Sequence, residues 1–469
     1  MATQARNGRA NGSGLSRRRF LGTVAGTAAA FGVVPRRVLG GRAAKPPSET
    51  LHVAGVGLGA MGADNLGACA GETIVALCDV DHRAASVTFQ RHPKAARYKD
   101  FRRMLDKEKG IDAVIVATPD HTHAVVTAAA MRRGKHVYTQ MPLAHNVWEV
   151  RELVRLARQT KVATQMGNER YSGPTVRSTV EWIQDGCIGA VREVHCWTNR
   201  PQWPQGIGRP ADKPPVPDGL DWDLWLGPAP ERPYHRSYHP YTWRGWRDFG
   251  TGSLGAVGCH VMDGAYWALK LAEATTVTVE AEAQGATPET WPRAATVRYR
   301  FPARGRMPPV TLTWYDGGRR PPRPKEMPAT REFVGSGGTI FVGDKGKLTF
   351  GALTAGTNPG QAGPRFIPES LRGSYRPAKP TIPRVKAEGR WVESGRHVRE
   401  WIRACKGGRP ACSRFEVAGP LTEIALLGNV AVQVGRPITC DVKAMTIRNR
   451  PDATALLRRP YRKGWTLDA

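Results

Sequence analysis

Short apolar runs alternate with amphipathic stretches in the first part of the chain. Each apolar run is four to six residues long and bounded by polar or turn residues, which is typical of a buried strand. The predicted strands are 51–56, 74–78, 113–117, 136–139 and 161–165. Residues 124–133 and 148–159 have helical periodicity with basic outer faces. This alternation of strand and helix predicts a doubly wound parallel sheet.

The pattern changes after about residue 173. A predicted helix at 176–184 and a predicted strand at 191–197 precede a Pro- and Trp-rich segment, 200–240, that has little periodicity. Such a long irregular segment usually lines a site or an interface. Residues 351–387 are rich in Pro and Gly, which predicts a surface excursion. Other runs predict a largely antiparallel sheet, with strands at 276–282, 295–301, 310–314 and 339–342.

The first predicted strand runs directly into a Gly-x-Gly-x-x-Gly motif that opens the following helix. In a dinucleotide-binding βαβ unit the first glycine makes the tight turn, and the second lets backbone N–H groups approach a pyrophosphate. The third lets the helix pack closely on the sheet, and the anion lies at the positive end of that helix. The residues expected around the pyrophosphate are Gly57, Gly59, Ala60, Met61 and Gly62.

Asp79 follows the second strand at about the 20-residue separation expected for the carboxylate that hydrogen-bonds the adenosine ribose. A carboxylate here repels the 2′-phosphate of NADP, so the predicted cofactor is NAD, with NADP less favoured. Arg83 lies close enough along the chain to weaken that preference. The alternative is a glycine-rich turn of some other α/β protein in which Asp79 only caps a helix, and the pairing of the two features disfavours it.

Residues 16–34 have the pattern of a twin-arginine export signal, with Arg17, Arg18 and Arg19 ahead of an apolar stretch rich in Gly and Ala. That stretch is shorter than the roughly 20 residues that span a bilayer, and no later segment is predicted to cross a membrane. The sequence therefore predicts export through the twin-arginine machinery, to the periplasm or otherwise outside the cytoplasm. Free NAD should be scarce there, so a tightly bound cofactor is expected.

These patterns predict an α/β fold class. An N-terminal Rossmann domain with a doubly wound parallel sheet precedes a C-terminal α/β domain with a large, mostly antiparallel open sheet. Two predicted helices, 397–404 and 421–434, belong to the second domain. The expected boundaries are 1–45 for the signal and linker, 50–170 for the Rossmann domain, 171–440 for the second domain and 441–469 for a C-terminal tail.

Charge and cysteine content change this picture little. The net charge is +29, and nine of the basic residues fall in residues 1–45, which hold no acid. An arginine-rich coding bias and affinity for an acidic partner both account for it. No helix-turn-helix, finger or aromatic-basic module accompanies the charge, so nucleic acid is not a predicted partner. The eight cysteines form no Cys-x-x-Cys pair, so no metal site is predicted. Cys405 and Cys412 are expected as buried free thiols or as a disulfide.

Beyond the glycine motif, an ordered set of short motifs runs along the chain. It comprises Asp79-Val-Asp81, Ala117-Thr-Pro-Asp-His-Thr-His123, Gly134-Lys-His-Val137, Gln140-Met-Pro-Leu143, Gly167-Asn168, Gly250-Thr-Gly-Ser-Leu-Gly255 and Cys259-His-Val-Met-Asp263. In this order the motifs resemble the glucose-fructose oxidoreductase, inositol dehydrogenase and MocA (Gfo/Idh/MocA) family, especially its exported bacterial branch. The resemblance implies hydride transfer between NAD or NADP and a sugar, cyclitol or polyol, in a homo-oligomer. Some relatives keep NAD bound and cleave glycosides through transient oxidation.

Two positions depart from the family's pattern. The family signature after the fifth strand is Glu-Lys-Pro, whereas this chain has Gln140 and Met141 before its proline. Four residues before His260, where an aspartate is usual, this chain has Ala256. A thioether cannot donate to a developing alkoxide or move its proton as a lysine does. The resemblance therefore implies an oxidoreductase, but one with a non-standard active site.

His260 is the best remaining candidate for a catalytic base, and Asp263 would orient its imidazole if the segment is one continuous helix. The alternative is a histidine kept by packing. The resemblance places further residues beside the cofactor: Thr118, Pro119, His123, Gln140 and Met141. Three residues after the last Rossmann strand are expected to face substrate: Asn168, Arg170 and Tyr171. Five tryptophans are expected either to stack on sugar rings or to form the private core of their loop: Trp203, Trp222, Trp225, Trp243 and Trp246.

Three functions remain open at this point. The first is an exported NAD-dependent oxidoreductase of a sugar or polyol, with His260 as the base, and it ranks slightly ahead. The second is a catalytically degenerate member of the family that binds NAD for structural or regulatory ends. The third is redox-neutral cleavage of a glycoside with permanently bound NAD.

Overall fold

The computed structural model describes residues 49–329, 332–333, 335–351, 363–386 and 392–468. The predicted export signal at 16–34 lies outside these residues. Both sheets described below belong to one unit, Leu51–Ala469.

The first sheet consists of six parallel strands, β1 (His52–Val56), β2 (Thr73–Cys78), β3 (Ala96–Tyr98), β4 (Ala113–Val116), β5 (His136–Gln140) and β6 (Thr164–Gly167). They lie in the order β3-β2-β1-β4-β5-β6. The helices between them are α1 (Ala60–Gly67), α2 (Ser86–Arg91), α3 (Phe101–Lys107), α4 (Asp120–Arg132) and α5 (Val147–Thr160). The strand order reverses between β1 and β4, which is the switch point at which a Rossmann sheet opens a crevice for a dinucleotide.

The ends of α5 show how local sequence sets these elements. A capping box starts the helix, because the Asn146 side chain accepts from the backbone of Glu149 and the Glu149 side chain accepts from the backbone of Asn146. Lys161 ends it in the left-handed conformation, with φ +56°. Because Lys161 still belongs to the helix end, the sixth strand begins at Thr164 and not at 161 as predicted.

Helix α4 differs from its predicted amphipathic form. It begins at Asp120, four residues earlier than predicted, and every residue from there to Met131 is buried. Segments distant in sequence cover its outer face: the backbone N–H of His121 donates to the carbonyl of Phe249 (3.2 Å), and Arg132 donates to the carbonyl of Leu467 (2.9 Å). The periodicity of a single segment could not reveal these partners.

The second sheet has nine strands, β7 (Val191–Thr198), β8 (Thr276–Gln284), β9 (Ala294–Phe301), β10 (Val310–Tyr315), β11 (Gly337–Gly343), β12 (Gly346–Phe350), β13 (Arg365–Ile367), β14 (Ile438–Asp441) and β15 (Thr446–Ile447). Their order is β13-β12-β11-β7-β10-β9-β8-β14-β15. Within it, β7 and β10 pair in parallel and the other neighbours are antiparallel. The two sheets confirm the predicted fold class.

The remaining helices are α6 (Pro174–Gln184), α7 (Trp222–Leu226), α8 (Gly252–Val261), α9 (Asp263–Ala268), α10 (Leu371–Ser374), α11 (Val392–Cys405) and α12 (Phe415–Val434). Helix α12 runs through Pro420, where the sequence pattern had suggested a start at 421. At its full length it is the one helix of the described residues that is long and apolar enough to cross a membrane, which corrects the expectation that no such segment follows the signal. Most of its residues are buried inside the fold.

The segment 351–387 is only in part the surface excursion that its composition predicts. Residues 352–362 and 387 lie outside the described parts of the chain. Strand β13 pairs with β12, and its residues Phe366 and Ile367 are buried. This segment therefore adds an edge strand to the second sheet.

Candidate functional site

A cleft of about 360 Å³ opens where β1, β2, β4 and β5 reach their carboxyl ends. These strands flank the switch point of the first sheet, the usual place for a ligand in an open α/β fold. Ten of the residues expected beside a cofactor line it: Gly57, Gly59, Ala60, Met61, Asp79, Thr118, Pro119, His123, Gln140 and Met141.

The glycine turn after β1 has no room for a side chain at two of its three glycines. Gly57 has φ +81°, and a Cβ there would lie 2.6 Å from the backbone of Ala117. A Cβ at Gly62 would lie 1.9 Å from the carbonyl oxygen of Gly57. Gly59 has nothing within 4 Å of the same position. Its backbone is therefore open to an anion at the start of α1.

Asp79 forms the wall beside this turn. One carboxylate oxygen accepts a hydrogen bond from the backbone N–H of Leu58 (2.7 Å), and the other accepts from the N–H of Asp81 (2.9 Å). Burial raises the pKa of Asp79, and these two hydrogen bonds oppose the rise. Arg83 lies outside the cleft walls, with its Nε 3.7 Å from Asp81. The basic residue that does line the cleft after β3 is Lys99, which sequence reasoning missed.

Further walls come from the segment between β7 and α8, residues 199–251, called the long loop below, and from the C-terminal tail, residues 448–468. His239 of the loop lies with Nε2 2.9 Å from a carboxylate oxygen of Asp81, which ties the loop to the end of β2. Arg459 of the tail donates to the carbonyls of Asp248 and His121, both at 2.9 Å, which ties the tail to the loop and to α4. The lining residues from these two segments are Leu224, Trp225, His239, Pro240, Tyr241, Trp243, Arg244 and Trp465.

Sequence reasoning placed the loop at a site or an interface but did not place the tail there. The tail reaches the cleft through Trp465, whose ring lies 6.2 Å from that of Phe101 and 4.6 Å from the guanidinium of Arg102. One tryptophan in an arginine-rich tail is, by itself, a weak signal of a cofactor contact. Only the fold brings it beside the first sheet.

Two side chains at the end of the cleft beside β5 cannot transfer protons. Met141 and Ala256 both line it. Gln140, which stands in place of the family's glutamate, is buried and donates from Nε2 to a carboxylate oxygen of Glu169 (3.3 Å). The two substitutions noticed in the sequence therefore face the same cavity.

Two titratable residues near this end are held by neighbouring groups. The ring nitrogens of His123 lie 2.7 Å from the carbonyl oxygen of Pro142 and 2.8 Å from that of Thr118. Asp120 accepts from the backbone N–H of Thr251 (3.0 Å) and from its hydroxyl (2.6 Å), and burial raises the pKa of Asp120. These contacts tie the start of α4 to the start of α8.

His260 and Asp263 are the predicted base and its orienting acid. Helix α8 ends at Val261 and α9 begins at Asp263, and Met262 between them keeps a right-handed helical backbone (φ −86°, ψ −14°). One carboxylate oxygen of Asp263 accepts from the backbone N–H of Gly264 (2.6 Å). The other is buried without a hydrogen-bond partner among the described residues, as is Nδ1 of His260. No hydrogen bond joins the two side chains in the described residues, and the orienting role of Asp263 stays a prediction.

The electrostatics of this pair match a buried interior. Burial lowers the pKa of His260 to about 3, and the positive charge of Arg170 acts in the same direction. Burial raises the pKa of Asp263 to about 8. Neither residue lines the cleft. His260 is therefore neutral near pH 7 and a weak base.

The residues expected to face substrate after β6 pack against the second domain instead. Asn168 accepts from the hydroxyl of Ser413 (2.5 Å), and Tyr171 stacks on Trp267 with ring centroids 4.6 Å apart. Arg170 influences the pKa values of His260 and Asp263. None of the three expected residues lines the cleft, and their contact with substrate stays a prediction.

The tryptophans of the long loop mainly form a private core. Trp222 and Trp225 stack with ring centroids 4.6 Å apart, and both belong with Trp246 to an aromatic cluster around Phe249. Trp225 and Trp243 also line the cleft, although each is less than a tenth exposed. The packing alternative therefore accounts for most of this set.

The cysteines of the described residues are all free thiols, including Cys405 and Cys412. Cys412 lies with His397 and Glu400 in a group whose potential ligand atoms are within 4.8 Å of one another. Arg177 donates to both carboxylate oxygens of Glu400 (3.0 and 2.9 Å), and the thiol donates to the same carboxylate (3.0 Å). Burial also raises the pKa of Cys412 far above its usual value. A cation would compete with the guanidinium for Glu400, so the group is a hydrogen-bonded core cluster.

A glycine turn at the switch point of a parallel sheet, followed by a second large sheet, is typical of the two-domain class of dinucleotide-binding proteins. Residues 51–168 match the sequence model of an oxidoreductase family described as its NAD-binding Rossmann fold. Residues 191–305 match the model of the C-terminal alpha/beta domain of the same family. The chain belongs to the Gfo/Idh/MocA oxidoreductase family.

Two curated relatives come from Saccharopolyspora erythraea. A glycosyl hydrolase family 109 protein is 36% identical over 156 residues, which cover 30% of this chain and 34% of the relative. Inositol 2-dehydrogenase 1 is 32% identical over 154 residues, which cover 31% of this chain and 45% of the relative. The chain thus spans less than half the length of these relatives.

A solved structure shares the fold across most of the chain. It is the WlbA dehydrogenase from Bordetella pertussis in complex with NADH and UDP-GlcNAcA, with a TM-score of 0.56. The alignment is 16% identical and covers 83% of this chain and 98% of that one. At this identity the likeness concerns the fold alone.

Proposed function

We propose that the protein holds NAD tightly in this cleft and acts on a sugar, polyol or glycoside outside the cytoplasm, with a non-standard set of polar groups at the reacting centre. The observation that carries the proposal is the glycine turn, closed to side chains at Gly57 and Gly62 and open at Gly59, with the Asp79 carboxylate beside it. Family membership and the names of the two relatives support a nicotinamide cofactor and a carbohydrate or cyclitol substrate.

The walls of the cleft have separate roles in this proposal. Backbone N–H groups from Gly59 to Met61, at the start of α1, bind the pyrophosphate. Asp79 accepts from the adenosine ribose. The long loop and the tail exclude water and slow the release of the cofactor. When bound, NAD supplies the group that accepts a hydride from a substrate carbon.

The hydroxyl proton that must leave with the hydride has few free acceptors among the described residues of the cleft, because neighbouring groups hold Asp120 and His123. Met141 and Ala256 stand where the family has a lysine and an aspartate, and neither can take it. His260 is neutral, has a pKa of about 3 and lies outside the cleft walls. Loss of a general acid-base group typically lowers a rate by about 100- to 10,000-fold. The direct oxidoreductase reaction is therefore expected to be slow.

Two related functions share the same cleft, and each is favoured by one observation. Met141 and Ala256 favour a catalytically degenerate protein that binds NAD for a structural or regulatory purpose. The relative named as a glycosyl hydrolase, together with the loop and tail that cover the cleft, favours redox-neutral cleavage of a glycoside with retained NAD.

The first test is the cofactor content of the purified exported protein. The protein is denatured, the released nucleotides are separated, and NAD, NADH, NADP and NADPH are quantified per chain. Near-stoichiometric NAD is expected. A protein that carries no nucleotide and binds none on titration would overturn the proposal in all three of its forms.

The second test separates the three forms with one panel of sugars, polyols and aryl glycosides. A net change in nicotinamide absorbance indicates the oxidoreductase, and released aglycone without net absorbance change indicates the glycosidase. Bound NAD without either signal indicates the degenerate form. The Gly62→Val variant, with its glycine turn blocked, is the matched negative control for both signals.

Export and assembly are further parts of the proposal. Replacing Arg17, Arg18 and Arg19 together by lysine should retain the protein in the cytoplasm if the twin-arginine machinery carries it, and normal export of this variant would contradict that route.

Light scattering after size exclusion should give a mass above the 51.2 kDa of one chain if the protein is the expected homo-oligomer.

A further inference from the structure

Arg244 places a positive charge at the catalytic end of the cleft. It lies in a short 3-10 helix, Thr242–Gly245, and lines the same cavity as Met141 and Ala256. The strands β4 to β6 form the half of a Rossmann sheet opposite the adenosine half, and Asp120 at the end of β4 is close enough to Arg244 to influence its pKa. Arg244 therefore lies toward the half of the cleft where substrate must enter.

Aromatic rings hold the guanidinium of Arg244 in place. It lies 4.3 Å from the ring centroid of Trp243, 4.6 Å from that of Tyr241 and 5.9 Å from that of Trp203. Its Nη1 donates to the carbonyl of Tyr241 (3.0 Å). Such packing fixes the direction of the remaining N–H donors, which match the two oxygens of a carboxylate or a phosphate.

Within the described parts of the chain, no carboxylate oxygen lies within 4.0 Å of Arg244. Asp120 acts on Arg244 from beyond ion-pair distance and raises its pKa, while Oδ2 of Asp120 accepts from both the backbone N–H and the hydroxyl of Thr251. Burial lowers the pKa of Arg244, and the second cation that acts on it in the same direction is Arg200. Nη1 of Arg200 is also buried without a hydrogen-bond partner among the described residues. Among the described residues neither arginine forms an ion pair, and Asp120 is the acid that acts on Arg244 from a longer distance.

We propose that Arg244 binds an oxyanion on the substrate, so that the substrate class is an acidic sugar whose carboxylate or phosphate meets the guanidinium. This inference rests on the proposed function. The aromatic faces of Tyr241 and Trp243 suit the apolar face of a pyranose next to that anion. The net charge of +29 would attract such a ligand from solution.

The test measures binding to the NAD-loaded full-length protein by titration calorimetry. The ligands are glucuronate and galacturonate for a carboxylate, glucose 6-phosphate for a phosphate, and glucose and galactose as neutral counterparts. We expect the native protein to bind at least one acidic sugar more than tenfold more tightly than its neutral counterpart, with an advantage that shrinks as salt is added. The better of the two anions identifies the carboxylate or the phosphate.

Variants then locate the effect. Arg244→Gln should lower the affinity for the acidic sugar by about 10- to 100-fold, because a charge-assisted bidentate contact is lost. Its affinity for the neutral sugar should stay within about twofold of native. The affinity of Arg244→Lys for the acidic sugar should lie between those of the native protein and Arg244→Gln. Arg209→Gln is the matched control, since Arg209 lies on the same loop, is half exposed and pairs with Glu289 away from the cleft.

Several outcomes would overturn the inference. One is equal affinity of the native protein for acidic and neutral sugars, which requires no variant and leaves the proposed function standing. Another is an Arg244→Gln variant that loses NAD by the same factor as the acidic sugar, which would assign Arg244 to the cofactor phosphates. A native protein without bound or bindable NAD would remove the proposed function as well, and the cofactor assay distinguishes that case.

Discussion

The two ends of the cleft differ in which of their polar groups have been kept. At the adenosine end, the glycine turn is closed to side chains where it must pack and open where an anion must approach, and Asp79 keeps its carboxylate in the wall. At the catalytic end, Met141 and Ala256 occupy the places of a lysine and an aspartate. In the proposed function, binding and proton transfer therefore depend on separate sets of residues, and only the binding set has the residues that the family resemblance implies.

The difference also shows in how each end is enclosed. The adenosine end is covered by a tail whose Trp465 lies near Phe101 and Arg102. The catalytic end is covered by loop residues that bring a cation, Arg244, in place of an acid-base pair. A cation that cannot lose its proton can orient or stabilise an anion, but it cannot act as a base. The proposal of tightly held NAD and slow turnover rests on this difference.

The largest expected effect comes from restoring a lysine and an aspartate at the catalytic end, which should remove the difference between the two ends of the cleft. The double variant Met141→Lys with Ala256→Asp returns a donor and an acceptor to the catalytic end. We expect its turnover of the best sugar in the panel to rise by about 100- to 10,000-fold over native, with bound NAD unchanged. Steady-state nicotinamide absorbance measures it.

The control for that variant is Met141→Leu with Ala256→Asn, which changes size and polarity at the same positions without adding a titratable group. Equal gains in both double variants would mean that shape and not proton transfer limits the reaction. A native protein as fast as the restored variant would show that another residue already serves as the base.

Blocking the glycine turn tests the adenosine end. A Cβ at Gly62 would lie 1.9 Å from the carbonyl oxygen of Gly57, so Gly62→Val must displace the backbone of the turn. We expect NAD affinity to fall by roughly 100-fold, from an overpacking penalty of about 3 kcal/mol. The NAD content of the purified variant measures this loss. Gly67→Ala on the same helix, where nothing lies within 4 Å, should keep native content.

Much of this site could be predicted because it lies close together in the sequence. Gly57 to Gly62 and Asp79 belong to one βαβ unit, whose strand, turn and helix are set by local pattern. The departures at Met141 and Ala256 were visible for the same reason, since each stands inside a short motif. The fold class likewise followed from local periodicity.

The rest depends on long-range packing that no local pattern encodes. Trp465 and Arg244 reach the cleft only after the tail and the loop have folded over the first sheet. Helical spacing predicts a contact between Asp263 and His260, but no hydrogen bond joins their side chains in the described residues. Tyr171 follows a strand end that would be open in an isolated Rossmann domain, and Trp267 of the second domain covers it.

Removing the aromatic ring of Trp465 tests whether the tail helps to hold NAD at the adenosine end of the cleft. Trp465→Ala takes away a wall of the cleft and leaves Phe101 and Arg102 exposed to it. We expect the release of NAD to become about tenfold faster, because an aromatic ring stacked on a base contributes roughly 1–3 kcal/mol. Stopped-flow displacement with a fluorescent NAD analogue measures the rate. Lys463→Ala is an exposed control on the same tail, and equal rates in both variants would assign Trp465 to tail packing alone.

The smallest expected effect concerns Asp263, which the structure places in the core and not in the cleft. Its folded-state pKa of about 8 lies above the usual 3.8, so the folded protein holds the proton more tightly than the unfolded chain does. The free energy of unfolding therefore falls as pH rises from about 4 to about 8. Asp263→Asn keeps an oxygen to accept from the N–H of Gly264 and removes the titration.

We expect the melting temperature of this variant, relative to native, to rise by at least about 5 °C between pH 5 and pH 8, with NAD content unchanged. Differential scanning calorimetry at several pH values measures it, and comparison with native cancels the other titrating groups. A constant difference across this range, together with a large loss of turnover, would return Asp263 to the catalytic end. That result would mean that a residue of the second domain, Asp263, transfers the proton in this chain. The catalytic end would then have moved its acid-base group to another position and would not have lost it.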